Sequence, residues 1–170
     1  MHQEAYNWVA KQKQAYPELF FQKRVVEFGS YYINGTVRDF FNGCNYTGVD
    51  WRAGPMVDTV SPAHLYIDQG IDVVITTETL EHDVYWKDTI RNAFNILKRN
   101  GVLLVTCAGI GRPEHCIETG ENSYYGNLSI VDLYPHISSR CPRFILEENH
   151  KVSSETGLPA HDTYAIAWKG

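Results

Sequence analysis

A chain of 170 residues with a formal net charge of −5 has the length and apolar content for one domain built around a single core. The acidic balance argues against extended, non-specific contact with a nucleic-acid backbone, which needs a basic face to displace counterions. No apolar run approaches the roughly 20 residues that cross a bilayer, and no leader pattern is present, so a soluble, cytoplasmic protein without membrane contact is expected. Cys44, Cys107, Cys116 and Cys141 form no C-x-x-C pair, which leaves reduced structural thiols and indicates neither a zinc knuckle nor a dithiol site. Taken in order, the chain opens with Ala5, Trp8, Val9 and Ala15 at helical spacing before Pro17, which predicts a helix from Glu4 to Ala15. This helix would lie against the sheet or over a bound ligand; Tyr6, Trp8 and Tyr16 are read as packing residues, with ligand contact as the alternative.

The stretch from Arg24 to Asp50 organises the rest of the chain. Val25 and Val26 lead into Glu27, Phe28, Gly29 and Ser30, and a tight passage reaches Gly35. A segment with Val37, Phe40 and Phe41 comes next, and a second apolar run from Tyr46 to Val49 ends in Asp50. The pattern predicts strand, glycine turn, helix and strand, with a carboxylate at each strand tip. In an open parallel sheet, ligands sit outside the carboxyl ends of the strands, and the first turn must let backbone approach them. Gly29 permits that approach because it has no Cβ and tolerates positive φ. Asp50 stands where it would accept hydrogen bonds from two ribose hydroxyls. The turn lacks the spacing G-x-G-x-x-G, and no phosphate-cradling loop is present. Glu27 would repel a pyrophosphate but receive a cationic amino group. The expected cofactor is a nucleoside that carries an amino acid.

Beyond Asp50, Arg52 to Pro55 reads as a turn and Met56 to Val60 as a short third strand. Ile71 to Thr76 is a β-branched run suited to a central strand buried on both faces, and it delivers Thr77 to His82 to the same edge. Val84 to Leu97 has helical spacing closed by Asn100-Gly101, and Val102 to Cys107 is another buried strand. The irregular segment from Gly109 to Gly126 is too long for a simple connector. Ile130 to Ile137 reads as a helix, and Phe144 to Val152 with Thr163 to Trp168 as an antiparallel pair.

Four segments carry a resemblance: Glu27-Phe28-Gly29-Ser30, Asn34-Gly35-Thr36-Val37-Arg38, Tyr46-Thr47-Gly48-Val49-Asp50 and Thr77-Glu78-Thr79-Leu80-Glu81-His82. In this order and spacing they resemble the class I S-adenosylmethionine-dependent methyltransferases, in the type 11-like branch whose fourth strand ends in E-x-L-E-H. The resemblance implies one α/β domain over residues 1–170. Its Rossmann-like, doubly wound, mostly parallel seven-stranded sheet would have the order 3-2-1-4-5-7-6 and an antiparallel C-terminal strand. It implies S-adenosyl-L-methionine as cofactor and S-adenosyl-L-homocysteine as product, bound by Glu27, Gly29, Ser30, Gly35 and Asp50. It lays Trp51 along the adenine and borders that ring with Ala63 and His64; Pro62 stands where relatives often carry an acid. Glu78 would receive the methionine end through its backbone, and the Gly109 to Gly126 segment, with its Tyr124-Tyr125 pair, would be a substrate lid.

For Glu81 and His82, three readings stay open. They pin the turn into the next helix, or His82 is a general base, or Glu-x-x-Glu-His holds a divalent cation that lowers an acceptor's pKa. The last needs a further ligand, from His115 or His136, brought in by the lid; a metal-free site is the reading adopted. Methyl transfer to an oxygen or nitrogen of a small molecule or saccharide is the expected function, with His82 and Glu81 as catalytic candidates. The rival is a non-catalytic S-adenosylmethionine- or nucleoside-binding module of the same fold. A nicotinamide dehydrogenase lacks its glycines here.

Overall fold

The computed structural model describes residues 2–115, 124–152 and 157–170. Cys116 and the middle of the expected lid, residues 116–123, lie outside the described residues. The chain begins with helix α1 (Gln3–Ala15), followed by strands β1 (Arg24–Phe28), β2 (Asn45–Asp50), β3 (Thr59–Val60) and β4 (Ile71–Thr77). Helix α2 (Trp86–Ile96), strand β5 (Leu97–Ala108), helix α3 (Ile130–Ser138) and strands β6 (Arg143–Val152) and β7 (Pro159–Trp168) complete it. The strands form one sheet in the order β3-β2-β1-β4-β5-β7-β6. β1 to β5 are parallel, and β7 runs antiparallel to both β5 and β6.

Side chains alternate across the sheet, and each central strand is apolar on both sides, which is why its sequence reads as a continuous run. Val26, Phe28, Val74, Leu103 and Val105 face α2 and α3, where Ile90, Phe94, Leu133 and Ile137 cover them. Val25, Val73, Ile75, Val102, Leu104 and Ile166 face the other way and pack with Trp8, Val9, Leu19 and Phe20. Burying each large side chain contributes about 1.5–3 kcal/mol. The three aromatic residues read as packing groups do pack: Trp8 stacks on Tyr164 at 5.1 Å, Tyr16 meets Trp168 edge-on at 5.4 Å, and Tyr6 lies 4.7 Å from Phe40.

The crossover between β1 and β2 departs from expectation. Instead of an amphipathic helix through Val37, Phe40 and Phe41, it forms only a 3₁₀ turn at Arg38–Phe40. Its backbone groups are claimed elsewhere: the Asn42 N–H donates to Phe20 O at 2.8 Å and the Gln22 N–H donates to Asn42 O at 3.1 Å, an extended bridge no helix can make at the same time. Gly43, at φ +63, then turns the chain into β2. Phe41 packs on Phe20 at 4.6 Å, so the apolar spacing reflects core contacts of an irregular segment.

Several boundaries also differ: β5 starts at Leu97 rather than Val102 and β7 at Pro159 rather than Thr163. β3 is only Thr59–Val60, because Met56 sits at φ +67 and the Val57 N–H closes a turn onto Gly54 O. α2 stops at Ile96 rather than at Asn100-Gly101. Leu97 already pairs with Ile71, and Asn100, at φ +61, makes the irregularity after which Val102 pairs with Val73.

Candidate active site

The expected cofactor residues gather at the carboxyl ends of β1, β2 and β4. Gly29 has φ +79, and a Cβ there would lie 2.0 Å from Thr79 Oγ1. Only glycine fits, but the space it leaves is filled by Thr79 from within the protein. The Gly29 and Ser30 N–H groups both donate to Val49 O, at 2.9 and 3.2 Å. Asp50 follows at the tip of β2, 8 % exposed. Its Oδ2 accepts from the Tyr31 N–H at 3.3 Å and its Oδ1 from the Arg52 N–H at 3.1 Å. The carboxylate therefore ties the turn to β2 and keeps acceptor capacity on both oxygens. The Ser30 hydroxyl is buried without a hydrogen-bond partner among the described residues, against Gly48. Gly35 lies farther out, where a cavity of about 210 Å³ is lined by Asn34, Gly35, His2 and the α1 residues Gln3 and Tyr6.

Glu27 is on the same side of the molecule as Asp50 but is already engaged. The Tyr46 hydroxyl donates to Glu27 Oε2 at 2.9 Å. Burial pushes the Glu27 carboxyl up to about 7, against the pull of the Tyr46 hydrogen bond and Arg38. Trp51 is 56 % exposed. The Arg52 guanidinium lies 4.0 Å over the Tyr31 ring and 5.8 Å from that of Trp51. In the neighbouring loop, Asn92 Nδ2 donates to the carbonyls of Ala63 and Tyr66, both at 2.8 Å, and the His64 ring packs on Tyr85 at 4.4 Å.

Past β4 the site becomes strongly charged. Glu78 holds φ +52, a backbone state uncommon for a non-glycine residue, and its N–H donates to Thr106 O at 2.8 Å. This twist turns the Glu78 carboxylate into the protein, where Arg112 Nη1 lies 2.9 Å from its Oε2 and also pairs with Asp162. The Tyr164 hydroxyl donates to the other Asp162 oxygen at 2.8 Å. Burial, and then the charge of Glu78, raise the Asp162 carboxyl to about 7. Burial works against the Arg112 charge, yet Glu78 and Asp162 hold its pKa above the ordinary value.

Glu81 is fully buried. Its Oε1 accepts the Ala108 N–H at 3.1 Å and its backbone carbonyl accepts the Gly126 N–H at 2.8 Å, so it pins the end of β5 to the returning chain. Burial, with Glu78 adding, pushes its carboxyl well above the usual range. The His82 ring meets that of His115 edge-on at 5.2 Å, and the Tyr125 ring lies 5.4 and 4.9 Å from them. Burial first, then His115 and Arg112, lower His82 to about 4, which keeps its imidazole neutral at pH 7. Of the two histidines offered as further ligands, His115 is beside the pair, whereas His136 packs on Trp86 at 5.2 Å.

No family model and no curated protein matches the sequence. Solved structures do. The 1,6-didemethyltoxoflavin N1-methyltransferase of Burkholderia thailandensis, with S-adenosylhomocysteine bound, superposes with a TM-score of 0.70 at 14 % identity, over 97 % of this chain and 78 % of that one. A SAM-dependent methyltransferase from Archaeoglobus fulgidus gives 0.66 at 15 % identity over 96 % and 94 % of the two chains. The phosphoethanolamine N-methyltransferase 2 of Haemonchus contortus gives 0.65 at 14 % over 97 % of this chain, which spans 56 % of that protein's length. The chain has the fold of the class I S-adenosylmethionine-dependent methyltransferases.

S-adenosylmethionine is the cofactor this methyltransferase fold implies, and the residues fit its ribose end. Asp50 offers both oxygens beside the first turn, and the orphaned Ser30 hydroxyl borders the same turn. At the amino-acid end the match is looser, because Glu27 is turned to Tyr46. Arg112 and Asp162 escape sequence reading altogether. They belong to no motif, and they come together only because β7 lies antiparallel to β5, with Ala108 opposite Asp162.

Proposed function

We propose that the chain transfers a methyl group from S-adenosylmethionine to an oxygen or nitrogen of a small molecule or saccharide. The observation that carries this reading is Asp50 at the tip of β2, tied to the Gly29 turn through the Tyr31 N–H, in a sheet of methyltransferase order. Bound S-adenosylmethionine supplies a methyl group already activated by its sulfonium. The chain's work is then positional: holding the acceptor atom about 3–3.5 Å from the methyl carbon is worth up to roughly 7–11 kcal/mol. In this reading Asp50 accepts from the ribose hydroxyls, Gly29, Ser30 and Gly35 shape the turn, Ala63, His64 and Trp51 border the adenine, and Glu27 and Glu78 flank the amino-acid end. Glu81 and His82 are assigned to activation of the acceptor. The neighbours named for a small-molecule nitrogen support an acceptor of that size.

Calorimetric titration with S-adenosylhomocysteine tests the cofactor assignment. Saturable binding is expected for the wild type, with at least a tenfold weaker affinity for Asp50→Ala, about 1.4 kcal/mol. No binding to the wild type removes the assignment. The engagement of Glu27 by Tyr46 favours a second reading, a module that binds a nucleoside without turnover. Formation of S-adenosylhomocysteine with any acceptor excludes that as the whole account.

A further inference from the structure

We propose that Glu81, His82 and His115 bind one divalent first-row transition-metal ion. One ligand atom from each lies within 4.8 Å of the others, so small side-chain shifts suffice to reach bonds of about 2.0–2.2 Å to a shared ion. Glu81 points to the need for one. It is fully buried, its Oε1 is spent on the Ala108 N–H, and its Oε2 has no hydrogen-bond partner among the described residues. A carboxylate oxygen left that way costs its desolvation unless a cation or donor meets it. The nearby Arg112 makes its ion pairs to Glu78 and Asp162 through Nη1, and its charge only partly offsets the burial of Glu81.

The His115 imidazole is oriented as a ligand. His115 Nδ1 lies 3.1 Å from Pro113 O; a carbonyl only accepts, so Nδ1 carries the proton and Nε2 presents a lone pair. His82 is likewise hydrogen-bonded to the backbone of Tyr124. A backbone carbonyl on the second nitrogen, as Pro113 O is for His115, is a usual outer support of metal-binding histidines, fixing ring and tautomer. The ligand set is not the carboxylate pair offered by the spacing Glu-x-x-Glu-His, because Glu78 is turned away to Arg112. Two imidazoles and one carboxylate favour Zn²⁺, Fe²⁺ or Co²⁺ over Mg²⁺ or Ca²⁺.

The role of the ion rests on the methyl-transfer reading. It narrows the acceptor to a hydroxyl compound whose O–H pKa the cation lowers. The O–H bond breaks with its proton passing to water. An oxygen lone pair then forms the bond to the methyl carbon while the C–S bond breaks, leaving its electron pair on sulfur.

Titrating the metal-stripped full chain with Co²⁺, read by visible absorbance and calorimetry, tests the site. One ion per chain is expected, at least tenfold weaker in His115→Ala and in Glu81→Gln and unchanged in His150→Ala, with folding checked by circular dichroism. Should Glu81→Gln not fold, His115→Ala, whose ring is partly exposed, carries the test. Absence of saturable uptake, or uptake unaffected by His115→Ala, overturns the site. S-adenosylhomocysteine titrated into the same samples separates the two proposals. Cofactor binding without Co²⁺ uptake defeats only the ion site, and Co²⁺ uptake without cofactor binding upholds the site while removing its role in methyl transfer.

Discussion

Glu27 titrates far from an ordinary carboxyl because burial penalises its charged form, and a value of about 7 replaces the usual 4.5. Between those two values the native chain holds a proton that the unfolded chain has released. The contribution of Glu27 to stability is therefore complete below about pH 4.5, falls as pH rises through the window, and is level above about 7, a loss of about 3 kcal/mol. Glu27→Gln keeps an acceptor for the Tyr46 hydroxyl and removes the titration. Urea unfolding of the two proteins is expected to give closely similar free energies near pH 4.5 and a variant more stable by about 3 kcal/mol at pH 8; parallel pH profiles would refute the assignment. The position of Glu27 at a strand tip is readable in the sequence, whereas its partner is not. Tyr46 reaches it only because β1 and β2 pair with Glu27 opposite Gly48, which is a fact of register.

Strands are the most legible elements here, because burial on both faces leaves them as unbroken apolar runs with β-branched residues. The β1–β2 crossover is legible only as apolar, since the same spacing serves a helix face or an irregular segment that drops Val37 and Phe41 into the core. The loop after β3 is held from outside itself: Asn92 on α2 donates to the carbonyls of Ala63 and Tyr66. Asn92→Ala is expected to leave both carbonyls to water, lower stability by about 1–2 kcal/mol and speed amide exchange over residues 61–67. Cofactor-product affinity is expected to fall several-fold. Unchanged exchange in that loop would show that it holds its shape without α2.

The whole molecule meets at Arg112, where the end of β4, the segment after β5 and the middle of β7 converge on one guanidinium. Nothing local in the sequence marks this, because Arg112 and Asp162 stand 50 residues apart. Arg112→Met leaves Glu78 and Asp162 buried without a counter-charge, which costs about 3–5 kcal/mol. Adding Glu78→Gln and Asp162→Asn is expected to recover most of that, as read by urea unfolding at neutral pH. If the triple variant is no more stable than the single one, Arg112 acts by shape rather than charge.

β7 is the last strand of the sheet along the chain, yet it lies inside it, between β5 and β6. During synthesis on the ribosome, β5 remains an open edge, its unpaired amides available to other nascent chains, until Pro159–Trp168 has left the exit tunnel. Because Asp162 arrives on that strand, the guanidinium cluster is also assembled last, so a chain released early would lack both its finished sheet and its charged pocket.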